Sequence, residues 1–191
     1  IREWSFKKLA VIAPTGVAAI NAGGVTAHSF FQLPFGVYLP TRQNVYSEGN
    51  VEVVNEQMLL KNIRFSTSKR ELLKELELLV IDEISMVRAD MLDAIDAILR
   101  SYRRMPDIPF GGVQVLYIGD MYQLPPVANR GDWSLMQEYY KSPFFFDAQV
   151  LQQSPPVYIE LQKIYRQSDA HFIHILNNIR NNAVTAEDLD D

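Results

Sequence analysis

The run Leu79-Val80-Ile81-Asp82-Glu83-Ile84-Ser85-Met86-Val87 constrains the fold more than any other stretch of the chain. An unbroken apolar segment without alternation has no solvent-facing side, so it reads as a strand buried on both faces, as in a parallel sheet covered by helices. It ends in two adjacent carboxylates. Open α/β sheets bind ligands beyond the carboxyl ends of their strands. Asp82 and Glu83 therefore stand where Mg²⁺ and water chemistry on a nucleotide would occur, Asp82 in the metal shell and Glu83 orienting the attacking water. The same pair also suits the plainer role of capping a following helix, and the rest of the chain has to decide between the two.

With 191 residues and 48% hydrophobic content, the chain can bury a core of one-domain size with a small insertion. Its apolar runs fall well short of the ~20 residues of a membrane span, and its amino terminus lacks the order of a signal peptide. The expectation is a protein with no membrane association, cytoplasmic in a bacterium or nuclear or mitochondrial in a eukaryote. Zero cysteines exclude disulfides and thiolate zinc sites. The net charge of −5 does not exclude a nucleic-acid partner. Four of the 23 acids fall in Ala186-Glu187-Asp188-Leu189-Asp190-Asp191, which leaves the body close to balance against 18 lysines and arginines. Two basic clusters, Arg64/Lys69/Arg70 and Arg100/Arg103/Arg104, read as solvated helix faces, with phosphate tracks as the alternative.

Strands and helices alternate along the chain. Leu9–Ala13 is a strand stopped by Pro14-Thr15-Gly16, and Val17–Asn21 is a short helix closed by Gly23-Gly24. From Phe35 to Ser68 the pattern loosens into an inserted subdomain or long loop, with a helix over Glu56–Arg64. A helix over Lys69–Leu76 leads into the acidic strand. A second starts at Asp90, with Met91, Leu92, Ile95, Ile98 and Leu99 at helical spacing. Val113–Ile118 is a third strand, again ended by an acid in Gly119-Asp120. Phe144-Phe145-Phe146 is a short strand or core plug, Val157–Leu161 a further strand, and Ala170–Asn181 an amphipathic helix. The fold class is α/β, a mostly parallel sheet covered on both faces.

Three further constellations carry chemistry. In Gly119-Asp120-Met121-Tyr122-Gln123-Leu124-Pro125-Pro126-Val127, the two prolines stiffen a loop from which Gln123 can reach a terminal phosphate. Arg166, between a strand and a helix, is placed to spread phosphoryl charge in a transition state, with a salt bridge to Asp169 as the plainer reading. Around Pro14-Thr15-Gly16 and Thr26-Ala27-His28-Ser29, hydroxyls and tight turns suit a phosphate backbone. Thr15, Gly16, Thr26, His28 and Ser29 can track a single strand there, and Phe30 and Phe31 either stack on bases or belong to the core. His171 and His174 share one helix turn but lack a third metal ligand.

Taken in order, these segments resemble the first RecA-like motor domain of the Pif family of DNA helicases, in the RecD-like, 5′-to-3′ branch of superfamily one. The carriers are Ala13-Pro14-Thr15-Gly16-Val17-Ala18-Ala19, Gly23-Gly24, Thr26-Ala27-His28-Ser29, and Val80-Ile81-Asp82-Glu83-Ile84-Ser85-Met86. They continue in Pro109-Phe110-Gly111-Gly112-Val113-Gln114, Gly119–Val127, Tyr165-Arg166-Gln167 and Ile179-Arg180. The resemblance implies a three-layer P-loop NTPase domain. It implies contacts to single-stranded DNA from Thr15, Gly16, His28 and Ser29. Asp82 would hold Mg²⁺ through water, Glu83 would activate water, and Gln123 and Arg166 would touch the terminal phosphate of ATP. Implied partners are single-stranded DNA, duplex junctions and a second motor domain, and residues 35–68 would hold a strand-separating wedge.

The family also carries a Gly-rich phosphate loop ahead of the strand matching Leu9–Ala13, and no Gly-x-x-x-x-Gly-Lys-[Ser/Thr] occurs in this sequence. The expectation is a partial motor domain that alone neither hydrolyses ATP efficiently nor unwinds DNA. The competing expectation is a degenerate binding module that has lost nucleotide chemistry.

Overall fold

Hydrogen bonding of β5 (Leu78–Ile81) between β1 (Leu9–Ala13) and β6 (Gln114–Tyr117), both parallel to it, organises the sheet. The structure is a computed structural model describing residues 6–45, 51–161, 163, 165 and 169–185. All four residues of β5 are buried, as the unbroken apolar run requires. A short strand, β2 (Val25–Thr26), pairs with the other side of β1, giving the all-parallel order β2-β1-β5-β6. Between β1 and β2 lies α1 (Gly16–Asn21), capped by Thr15, whose Oγ1 accepts the Ala18 N–H. Gly24 then lets the returning chain press against β1, because a Cβ there would stand 2.3 Å from the Val11 carbonyl oxygen.

After α2 (Ala27–Phe31), residues 35–68 form β3 (Val37–Leu39), β4 (Val53–Asn55), α3 (Glu56–Asn62) and the start of α4 (Thr67–Glu75). Strands β3 and β4 pair in parallel as a separate small sheet. Every residue of both is buried, and Val37, Tyr38, Leu39, Val53 and Val54 join the same hydrophobic cluster as Ile12, Leu79 and Ile81. The segment is thus tied into the main core. The adjacent Phe30 and Phe31 also belong to that core, edge to face with ring centroids 4.8 Å apart.

The long helix α5 (Ala89–Arg103) holds these pieces together. Leu92, Ile95, Ile98 and Leu99 are fully buried, each contributing about 1.5–3 kcal/mol of apolar burial. Three buried aspartates follow at three-residue intervals, and each receives backbone N–H groups that secondary structure leaves unpaired. Asp90 accepts from Tyr38 at 3.0 Å, Asp93 from Gln149 and Val150 at 2.9 Å each, and Asp96 from Phe110. One helix thereby fixes β3, the start of α7 (Gln149–Gln153) and the turn at Pro109–Gly112. The Arg88 guanidinium grips Asp90 at 2.8 and 2.6 Å. It also reaches Asp132 on α6 (Arg130–Met136) at 3.1 Å and the Gly36 carbonyl at 3.0 Å.

In the basic cluster at the end of α5, Arg100 and Arg103 are structural. Arg103 donates to the carbonyls of Leu73, Lys74 and Leu76 at the end of α4, and to that of Gly111. Arg100 pairs with Asp96 at 2.7 Å. In the other cluster, the Lys69 ammonium sits 2.9 Å from the Phe30 ring centroid, and burial lowers it to about 8.

Phe144 makes one antiparallel bridge to Arg88, and Phe145–Asp147 is a 3₁₀ turn rather than a strand. The chain divides into two units between Pro155 and Pro156. In the second, the expected strand over Val157–Leu161 is not formed. Its residues make no ladder among the described residues, and Val157, Tyr158, Ile159 and Leu161 are exposed. Apolar β-type residues supply propensity, but a strand exists only where a partner edge supplies hydrogen bonds. The helix of this unit is α8 (Ala170–Arg180), capped by Asp169. No helix among the described residues is long and apolar enough to cross a membrane.

Burial pushes the Asp93 carboxyl up to about 6, against the opposing hydrogen bonds from Val150 and Gln149. The folded chain therefore holds this proton more tightly than the unfolded chain, where the value is ~3.9. Its contribution to stability grows as pH falls from about 6 to about 4 and is lost as pH rises through about 6, a swing on the order of 3 kcal/mol. Urea melts across this range should show the wild type gaining on Asp93→Asn at acid pH. A pH-independent gap between the two would refute the assignment.

Candidate nucleotide and DNA site

The parallel register fixes where the candidate side chains emerge. Ile12 pairs with Ile81, Ile81 pairs with Tyr117, and Ala13 pairs with Thr26. The segments following the four strands therefore share one edge of the sheet, spaced by the ~4.8 Å between neighbouring strands. Along that edge the order is His28 and Ser29 after β2, Thr15 and Gly16 after β1, Asp82 and Glu83 after β5, and Gln123 beyond β6. Residues far apart in sequence thus lie side by side at the carboxyl edge.

The turn at Asp82-Glu83 is held from three directions. The Asp82 N–H donates to the Ile12 carbonyl at 2.9 Å, the Ile118 N–H to Ile81, and the Ile84 N–H back to Ile118. Asp82 Oδ1 accepts the Glu83 N–H at 3.0 Å, leaving Oδ2 open among the described residues. Glu83 itself is left-handed, with φ 50° and ψ 46°, a conformation costing a non-glycine residue roughly 1–2 kcal/mol. Its half-exposed carboxylate makes no hydrogen bond or ion pair among the described residues. Capping does not explain this geometry: neither carboxylate caps a helix, and the 3₁₀ turn at Ile84–Met86 has no side-chain cap. The Ser85 hydroxyl just beyond is buried without a hydrogen-bond partner among the described residues.

The loop after β6 is organised by Asp120. Its Oδ1 accepts the Tyr122 N–H at 3.0 Å, its carbonyl accepts the Gln123 N–H at 3.1 Å, and Oδ2 receives Gln123 Nε2 at 3.3 Å. Gln123 is exposed, so its amide is positioned by an acid and open to solvent. In the sequence, Asp120 stands out only as a strand-ending acid. Its spacing to Gln123, acid then acceptor turn three residues on, was the available signal. Gly119 sits tight against the Asp82-Glu83 turn: a Cβ there would meet Ile84 Cγ2 at 2.9 Å and the Ile84 nitrogen at 3.0 Å.

On the other half of the edge, the Thr15 and Thr26 hydroxyls accept the Ala18 and Ser29 N–H groups. Gly16 and Ser29 are exposed. His28 is half-buried and stacks on Phe35, with centroids 5.3 Å apart and planes 12° from parallel. Burial, then the nearby Arg88 charge, hold its imidazole below the usual range, so at neutral pH it is uncharged. Arg166 lies outside the described residues. No group of three or more His, Asp or Glu among the described residues forms a metal cage. Asp82, with one hard oxygen open, fits the single water-mediated ligand that Mg²⁺ takes when phosphates supply the rest.

The PIF1-like helicase pattern matches residues 1–190. The ATP-dependent DNA helicase PIF1 of Saccharomyces cerevisiae is 34% identical over 91% of this chain, which covers 18% of that protein. The crystal structure of Bacteroides Pif1 bound to single-stranded DNA superposes with a TM-score of 0.84 at 46% identity. It covers 98% of this chain, and the match takes in 40% of the solved one. The crystal structure of Pif1 helicase from Bacteroides in complex with ADP-AlF₃ and single-stranded DNA gives the same TM-score, identity and coverage. The chain thus spans about a fifth of the yeast relative and two fifths of the solved chains.

Replacing Gly119 with Ala should push the loop after β6 off the Asp82-Glu83 turn. Overpacking of this kind costs about 1–3 kcal/mol, so thermal unfolding should shift down by several degrees. An unchanged midpoint would mean that the contact yields freely.

Proposed function

The chain belongs to the PIF1-like helicase family, and from that membership we propose that it is the part of a motor domain in which ATP hydrolysis meets single-stranded DNA. The observation carrying this reading is the common carboxyl edge. Thr15 and Gly16 follow β1, Asp82 and Glu83 follow the next strand, and Gln123 follows the one after. A hydrogen bond from the Asp82 N–H to the Ile12 carbonyl ties the DNA half to the nucleotide half.

Bound Mg-ATP would supply the scissile phosphate and the charge that holds its oxygens. Asp82 would take the metal through water with its open oxygen. Glu83, unpaired and held by its turn, would accept a proton from the attacking water and orient it. Gln123, steadied by Asp120, would donate to the terminal phosphate, and Arg166 would spread its developing charge. The backbone and hydroxyls of Thr15, Gly16 and Ser29 would follow DNA phosphates, with His28 beside them. A phosphate loop from the rest of the protein would complete the cradle. Strand β6 has its outer edge unpaired among the described residues, and its Leu116 is exposed; this edge offers a place for the strand bearing that loop. A second motor domain would close the nucleotide cleft, and the pair would move 5′-to-3′ and open duplex junctions.

In the full helicase, Glu83→Gln should bind ATP as the wild type does and lose about 10²- to 10⁴-fold in DNA-stimulated turnover. Near-normal turnover would remove Glu83 from this role. Full-length protein that binds single strands without any ATPase would favour a non-catalytic binding module. Joint replacement of Thr15 and His28 by Ala should weaken binding to oligo-dT at low salt, where phosphate contacts are strongest. Unchanged affinity would place the DNA track elsewhere.

A further inference from the structure

Phe35 is 91% exposed, yet its ring has a fixed seat. Pro34 precedes it with a locked φ. Gly36 follows, its carbonyl held by Arg88 Nη2 at 3.0 Å and its Cα so close to β4 that a Cβ would stand 2.1 Å from the Glu52 carbonyl oxygen. One face of the ring lies on His28 and the other is bare. Beside this pair opens a hollow of about 310 Å³ whose lining includes Thr15, His28, Leu33, Phe35, Met86 and Val127.

The hollow is lined mostly by apolar and aromatic side chains, with Arg88 and Asp90 as its charged residues. Arg88 reaches its wall, but Asp90 and Asp132 pair with the guanidinium, so it offers little to a phosphate. His28 is neutral at physiological pH for the reasons given above. The hollow also shares Thr15 with the proposed DNA track and continues it. A ligand here has to be planar and apolar on its faces, and attached to something that runs past Thr15. A nucleobase of a single strand meets these conditions.

We propose that Phe35, backed by His28, is a stacking platform for one base of the bound single strand, with the adjoining hollow receiving that base. The proposal rests on the DNA reading above and deepens it: phosphates run along Thr15, Gly16 and Ser29, and one base turns inward. Because every base has an aromatic face, the platform selects single strands over duplex, whose bases are already stacked, and shows little sequence preference.

The test is equilibrium binding of the protein, by anisotropy at low salt, to a labelled oligo-dT and to a strand of the same length made of abasic sites. Phe35→Ala should weaken binding to oligo-dT by about 5- to 100-fold and leave the abasic strand unchanged, while Phe35→Tyr should restore the affinity. The ring is exposed, so the Ala variant should melt at the wild-type temperature, which separates a binding loss from misfolding. If Phe35→Ala binds both strands as the wild type does, the proposal is overturned and the ring is covered by something else, such as another part of the helicase. If both strands lose equally, Phe35 acts on the backbone track and the base platform is wrong. Failure of the wild type to bind either strand would overturn the DNA reading, and the platform with it.

Discussion

The site depends on parallel pairing of β5 with a neighbour on each side. In a parallel sheet all strands point the same way, so the segments leaving their carboxyl ends must emerge together. The ladder does not stop at the strand ends. It continues through the bonds from Asp82 to Ile12, from Ile118 to Ile81 and from Ile84 to Ile118. These bonds hold Glu83 in a left-handed backbone that its side chain alone would not choose, and strain of this kind persists only where the surroundings over-determine it. Gly119 belongs to the same arrangement, since only the absence of a Cβ lets the Gln123 loop approach that turn.

A second constraint lies beneath the sheet edge. Helix α5 buries Asp90, Asp93 and Asp96 among otherwise apolar residues, a placement that would be costly for unpaired charges. Each is satisfied by backbone N–H groups of a different segment, and Asp90 and Asp96 also by arginines. The result is specificity of placement. Strand β3, and with it the Pro34-Phe35-Gly36 segment beside His28, is fixed to α5 through Asp90 and Arg88. The two halves of the carboxyl edge, Thr15 to Ser29 and Asp82 to Gln123, therefore share one support.

Much of this was legible in the chain. The strand at Leu9–Ala13, the apolar stripe of α5 and the acids ending two strands all follow from patterns local to a few residues, and the structure has them there. Other readings failed where the deciding partner was distant. Val157–Leu161 has strand-type residues but no ladder among the described residues. Arg100 and Arg103 look like a solvated or phosphate-binding face, and only the nearby carbonyls of α4 and the carboxylate of Asp96 show them to be internal braces. Phe35 sat in a stretch without periodicity, so its stack on His28 had no sequence signal at all.

By itself the sequence determined the α/β class, the identity of the acids and the amide at strand ends, and the family resemblance, because periodicity and motif spacing are properties of neighbouring residues. The tertiary structure alone decided which of these residues meet. Strand order and register set the sequence of His28, Thr15, Glu83 and Gln123 along one edge, and register depends on hydrogen bonds between segments dozens of residues apart. It also decided that His28 is a half-buried, stacked ring and that Glu83 is held in strained backbone. Burial and backbone conformation are imposed by surroundings that no local stretch of sequence contains.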